Sequence, residues 1–302
     1  MRIRMNRKDS ILALLIILAW GFNFVIIRWG LDELPPMLLG ALRFLCVAFP
    51  AIFFVRKPDL PLRWLFAYGI TISFGQFALL FSAMQAGMPA GIASLVLQAQ
   101  AIFTLVFALL FLGERWQVQQ LWALLIAGCG LGILAGQADA ASMTLTGFGL
   151  TLAAAASWGA GNIVNRHIAQ QGSVQLMSLV IWGALIPPLP FMLLSWLTEG
   201  PELILASLSS MGIKSLVSLT YLALVATIFG YGSWAWLLQQ HPASRIAPLT
   251  LLVPVVGLLC AWLILDESLS GIQAVGIVLV MLGLLVNSFG QRWLHRLKRM
   301  AA

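Results

Sequence analysis

The chain has 302 residues, of which 61% are hydrophobic and 9% charged, with a formal net charge of +7. A soluble domain carries roughly a quarter of its residues charged, so that class is excluded and the chain belongs in a bilayer. Its apolar residues collect in runs of about 20, enough to cross ~30 Å of hydrocarbon as helix, and they lack the alternation of barrel strands. The predicted fold class is an all-α membrane protein.

In chain order, spans are predicted near 10–28, 36–55, 64–85, 89–112, 118–136, 146–167, 176–197, 215–238, 243–265 and 271–290. The longest connector runs from Thr198 to Lys214, which leaves no room for a separate soluble domain. The first span follows Arg2, Arg4, Arg7 and Lys8, as the core of a secretory signal does. Its run continues through Trp20, Gly21, Phe22, Asn23 and Phe24, so it is expected to be retained.

The second span carries Arg43 well inside, beyond Pro36. A buried guanidinium is costly and faces protein or water rather than lipid. Its fork of donors suits a carboxylate; the competing reading has it capping carbonyls of a neighbouring helix or snorkelling outward. Gln76 is the polar candidate of the third span. The fourth reads LVLQAQAIFT, with Gln98 and Gln100 in an apolar run. An unpartnered amide in hydrocarbon costs about 2–7 kcal/mol. Two residues along an α-helix is about 200°, so one amide is expected to face a cavity and the other to bond a neighbouring helix; the alternative is that both bond neighbouring helices. In the sixth span Trp158 and Asn162 echo Trp20 and Asn23 of the first. The eighth contributes Thr227, Tyr231 and Trp234, and Gly230-Tyr231-Gly232 marks either a weak point for a gate or tight helix packing.

Basic residues sort by side. With both termini cytoplasmic, Arg2, Arg4, Arg7, Lys8, Arg56, Lys57, Arg63, Arg115, Arg166, Arg245, Arg292, Arg296, Lys298 and Arg299 lie inside, and only Arg28 and Lys214 lie outside. The positive charge then reflects topology and contact with anionic membrane lipid, and no nucleic-acid partner is expected. Cys46, Cys129 and Cys260 sit in three different spans and read as small apolar fillers. His167, His241 and His295 fall at helix ends without metal-ligand spacing, so no metal and no cofactor is expected.

An internal repeat is visible. MPAGIASLVLQAQAIFTLVFALLFLGER from Met88 aligns without a gap to HPASRIAPLTLLVPVVGLLCAWLILDES from His241, pairing Pro89 with Pro242, Leu112 with Leu265 and Glu114 with Glu267. The match continues to Gln120 with Gln273 and Gly130 with Gly283. Two five-span halves follow, 1–140 and 141–302. Five is odd, so the second half enters the membrane from the opposite side, a construction of secondary transporters that hold substrate in a central cavity.

These motifs, together with AWGFNF, ASWGAGN, ALRFL and TLLVPVVG, resemble the EamA-type transporters of the drug/metabolite transporter superfamily over nearly the whole chain. The resemblance implies ten helices in two inverted repeats around a central cavity, alternating access, and a bacterial inner-membrane location. It also implies a small amino-acid-like substrate that is exported, with O-acetylserine and cysteine favoured and other amino acids, nucleosides or drugs as alternatives. Gln98 and Gln100 align with Leu251 and Val253, so their polarity is not a repeated packing feature. The cavity candidates are Trp20, Asn23, Arg43, Gln76, Gln98, Gln100, Trp158, Asn162, Tyr231 and Trp234. No acid falls in mid-membrane, so either export is facilitative or a boundary acid such as Glu114 or Glu267 moves protons; capping of an adjacent helix accounts for those two glutamates more simply. A lipid-modifying enzyme lacks a nucleophile and base in these spans, and a passive channel would line one pore with polar rings.

Overall fold

The computed structural model describes residues 5–114, 117–138, 143–172 and 174–301, with the backbone alone at 243–244 and 291–301. Arg2, Arg4, Arg115, Asp139 and the boundary between the halves at 140/141 lie outside the described residues, as do the side chains of Arg292, His295, Arg296, Lys298 and Arg299.

The fold is all-α. Among the described residues nine helical segments are long and apolar enough to cross a bilayer: Arg7–Leu31, Pro36–Phe53, Leu62–Gln85, Ala90–Leu112, Val118–Ala135, Leu176–Glu199, Ile213–Gln240, Ala247–Leu265 and Gly271–Gly290. The predicted sixth span is also one helix, Leu145–Gln171, but Ala, Gly, Ser, Asn and Gln dilute its hydropathy. Leu110, Phe111, Trp262 and Leu263 are all at least 60% exposed on the outside of the bundle, a surface fit only for acyl chains.

Two local departures follow from sequence. The seventh span is interrupted at 184–187 ahead of Pro188, because Pro187 and Pro188 cannot donate to the helical ladder. The longest connector contains a helix, Pro201–Ser209, entered through Gly200 at φ 84°, a left-handed conformation that glycine adopts without strain.

The repeat is visible as recurring backbone irregularity. The third and eighth spans widen into π-helical stretches at aligned positions, Gly69–Gly75 and Tyr221–Phe229. The fourth and ninth spans tighten into 3-10 turns at Leu97–Ala99 and Ala247–Leu252. Gln120 Oε1 accepts from Gln117 N–H at 2.9 Å, and Gln273 Oε1 accepts from Ser270 N–H at 2.9 Å, so the fifth and tenth spans begin with the same cap. Those two spans pack backbone to backbone. A Cβ on Gly130 would lie 2.7 Å from Gly276 O and Val280 N, and one on the aligned Gly283 2.6 Å from Ala127 Cβ. Lipid tails are as apolar as leucine, so such close approach supplies the packing that holds membrane helices together.

Carboxylates set the direction of several neighbours. Glu267, just after the ninth span, accepts from Ala90 N–H (2.7 Å) and Gly91 N–H (2.9 Å) at the start of the fourth. Glu199, ending the seventh, accepts from Met37 and Leu38 N–H at the start of the second. Each pair is therefore antiparallel. The face with these caps is called here the far face; the near face carries the start of the first span.

Candidate functional site

A cavity of about 640 Å³ lies in the middle of the bundle, and all ten candidate residues line it. From mid-bundle its wall runs along the sixth and eighth spans to Ala169, Gly172 and Leu238, so it extends toward the near face.

Arg43 is 2% exposed. Its Nη2 donates to Thr227 Oγ1 at 3.3 Å, and that hydroxyl in turn donates to Leu222 O, five residues back along the π-helical stretch. The guanidinium lies 3.9 Å from the centroid of the Phe77 ring and 5.4 Å from that of Phe44. A desolvated cation–π contact is worth about 2 kcal/mol, well short of the cost of burying a charge. Nε and Nη1 have no partner among the described residues. Arg43 neither caps a carbonyl nor snorkels, and among the described residues no acid lines the cavity to balance it.

Gln98 and Gln100 both reach the cavity wall, which corrects the expected division of labour, and each also bonds another helix, as the alternative reading has it. The reason is local winding: a 3-10 turn at Leu97–Ala99 advances about 120° per residue, so the two amides diverge less than on an α-helix. Gln98 Nε2 donates to Thr250 O at 3.3 Å. Thr250 lies four residues before Pro254, which has no N–H to give it. Gln100 Oε1 accepts from Asn162 Nδ2 at 2.6 Å, and Asn162 Nδ2 also donates to Thr104 Oγ1 at 3.0 Å. These bonds satisfy both glutamines in part, as their burial demands.

Trp20, Tyr231 and Trp234 form an aromatic wall, with ring centroids 5.4 Å apart from Trp20 to each of the other two. Trp20 Nε1 donates to Ala226 O at 3.0 Å, within the π-helical stretch. A Cβ on Gly230 would sit 2.5 Å from Trp20 Nε1, so close packing explains this glycine. Trp158 lines the sixth-span side. Asn23 Oδ1 and Gln76 Oε1 are buried without partners among the described residues.

Sequence reasoning passed over Tyr68, Ser94 and Asn165, which also line the cavity. Asn165 follows Asn162 by three residues and so shares its helical face, a signal that was readable. Tyr68 carried none, since a tyrosine near a span end reads as an interfacial anchor. Cys46 and Cys129 are exposed and Cys260 half-buried, so the cysteines sit toward the lipid side rather than filling a core. Among the described residues no three His, Cys, Asp or Glu side chains converge on a point that could hold a metal ion.

The EamA-like transporter family model matches residues 8–136 and 145–289, twice within one chain. The chain is 53% identical over 290 residues to a "Probable amino-acid metabolite efflux pump" of Salmonella typhimurium, covering 95% of this chain and 97% of that protein. It is 50% identical over 296 residues to the protein of the same description from Escherichia coli, covering 97% and 99%. A solved crystal structure at 20% identity matches with a TM-score of 0.63 over 93% of this chain and 95% of its own, a likeness of fold. Two matches in tandem account for the internal repeat, and the chain belongs to the EamA-like transporter family.

Proposed function

We propose that the protein exports small amino-acid-like metabolites across the bacterial inner membrane by alternating access between two inverted five-helix halves, with both termini cytoplasmic. O-acetylserine and cysteine are the favoured substrates. The observation that carries this reading is Arg43: a buried cation on the wall of a central cavity, with two unpaired donors and no acid facing it among the described residues. A carboxylate is the chemistry that completes such a fork. Phe77 covers the guanidinium at 3.9 Å, so engagement of substrate requires that ring to move aside. The near end of the cavity would then be the loading side, and the antiparallel pairing of the aligned fourth and ninth spans supports the inversion.

A second reading has one observation in its favour. Trp20, Tyr68, Phe77, Trp158, Tyr231 and Trp234 make the cavity strongly aromatic, which suits larger or aromatic substrates within the same superfamily.

The test uses proteoliposomes loaded with labelled O-acetylserine, with and without a pH gradient. The expected result is protein-dependent release, competed by free amino acids and not by their methyl esters. Arg43→Lys, which loses the fork, should lower the rate by roughly ten- to a hundredfold. Release unaffected by Arg43→Lys would remove this residue from the site, and competition by aromatic compounds alone would favour the second reading.

A further inference from the structure

The two acids paired by the repeat, Glu114 and Glu267, stand on the same local backbone and do different things. Each follows a residue in the left-handed region that ends its helix, Gly113 at φ 64° and Asp266 at φ 53°. Each N–H also bonds back to an aligned alanine carbonyl, Ala108 at 3.4 Å or Ala261 at 3.3 Å. From this platform Glu267 crosses to the start of the fourth span, one carboxylate oxygen on Ala90 N–H and the other on Gly91 N–H. The cap satisfies two of the open donors of that helix start and meets the positive end of its dipole.

Glu114 stands on the near face. The residues matching Ala90 and Gly91 are Ala243 and Ser244, which open the continuous helical segment 243–265 after Pro242, as Pro89 precedes Ala90. Here Glu114 instead pairs with Arg166 at the end of the sixth span, at 2.8 and 3.1 Å, with both side chains nearly half exposed. The near face is also the one toward which the cavity extends.

We propose that Glu267 and Glu114 are alternating latches. Glu267 closes the far face in the state seen here. In the opposite state Glu267 releases Ala90 and Gly91, while Glu114 leaves Arg166 and takes the N–H groups of Ala243 and Ser244, closing the near face. The inference rests on the inverted-repeat reading given under Proposed function. Because the two platforms are alike, the cap made at one face offsets the cap lost at the other, and the two states stay close in energy. Arg166 parks the idle acid, and an exposed ion pair is weak enough to let it go.

Double electron–electron resonance on the full-length protein in nanodiscs, without substrate, tests this. Native cysteines are replaced, and spin labels are placed at Gln85→Cys with Leu269→Cys for the far face, or at Val118→Cys with Gln239→Cys for the near face. Glu267→Gln removes the charge and one acceptor oxygen. It should lengthen the far-face distance and shorten the near-face one, moving the ratio of states on the order of tenfold. Glu114→Gln should move the ratio the other way. Arg166→Ala, which frees Glu114, should move it in the direction of Glu267→Gln.

A purely structural role for these acids gives no opposed signs. If Glu114→Gln and Arg166→Ala leave both distances unchanged, or if the two glutamate variants shift them alike, the latch is overturned. Should Glu267→Gln fail to fold, the exposed Glu114 and Arg166 variants decide alone by the sign of their shifts. No substrate enters the measurement, so a failed O-acetylserine assay and a failed latch are separate results.

Discussion

On the far face three carboxylates, Glu33, Glu199 and Glu267, end on backbone N–H groups of helices in the other half, whereas on the near face Asp9 and Glu114 end on the side chains of His241 and Arg166. The difference lies in what holds the partner still. An N–H at a helix start is fixed by the helix and carries part of its dipole, so a carboxylate there joins two rigid bodies. A side-chain partner keeps its own torsions and gives way more readily. The cavity extends toward the face where Asp9 and Glu114 hold side chains, and away from the face where Glu33, Glu199 and Glu267 hold backbone, while a fourth acid there, Asp32, pairs at the surface with Arg28 and Lys214.

The largest expected contrast is in access. In a background without the native cysteines, Ala169→Cys at the near end of the cavity should react with a hydrophilic thiol reagent on the order of a hundredfold faster than Met88→Cys, which is 1% exposed beside the far-face cap. Equal rates would erase the distinction between the faces. A smaller contrast is in stability. Glu199→Gln weakens a charged bond to two helix-start N–H groups, 2.7 and 3.2 Å away, and should cost about 1–3 kcal/mol in denaturant unfolding. Glu114→Gln breaks an exposed ion pair and should cost at most about 1 kcal/mol. A reversed order would mean that the near-face pair is the stronger tie.

The smallest effect concerns pH. Glu33 accepts from the Ser215 hydroxyl and N–H and from Gly212 N–H, and these bonds, with Lys214 nearby, hold its carboxyl below the ordinary value of 4.5 against a smaller opposing effect of burial. A depressed carboxyl contributes stability that is present above its unfolded pKa and is lost as pH falls through its folded one. The melting temperature should therefore fall more steeply below about pH 4.5 in the parent than in Glu33→Gln. Parallel curves would remove Glu33 from the far-face closure.

Much of the site was legible in the sequence because polar side chains in hydrocarbon are costly enough to be conspicuous. Arg43, Gln98, Gln100 and Asn162 stand out for that reason, and all four line the cavity. Their geometry was not legible. A 200° separation of Gln98 and Gln100 presumes an α-helix, and the 3-10 turn at Leu97–Ala99, which packs against the sixth span, is not marked in the residue pattern. The acids show the same limit. Glu114 and Glu267 are indistinguishable in the alignment, yet one caps a helix and the other pairs with an arginine, because each answers to whichever helix end stands opposite.

The one-dimensional pattern of apolar runs, proline and charge was sufficient for the class of the protein, its spans and its internal repeat, since solvation by lipid acts on each segment separately. The paired cavity wall, the π-helical and 3-10 windings, and the unequal closure of the two faces arose only in three dimensions, because each depends on a hydrogen-bonding partner that lies far away in the chain.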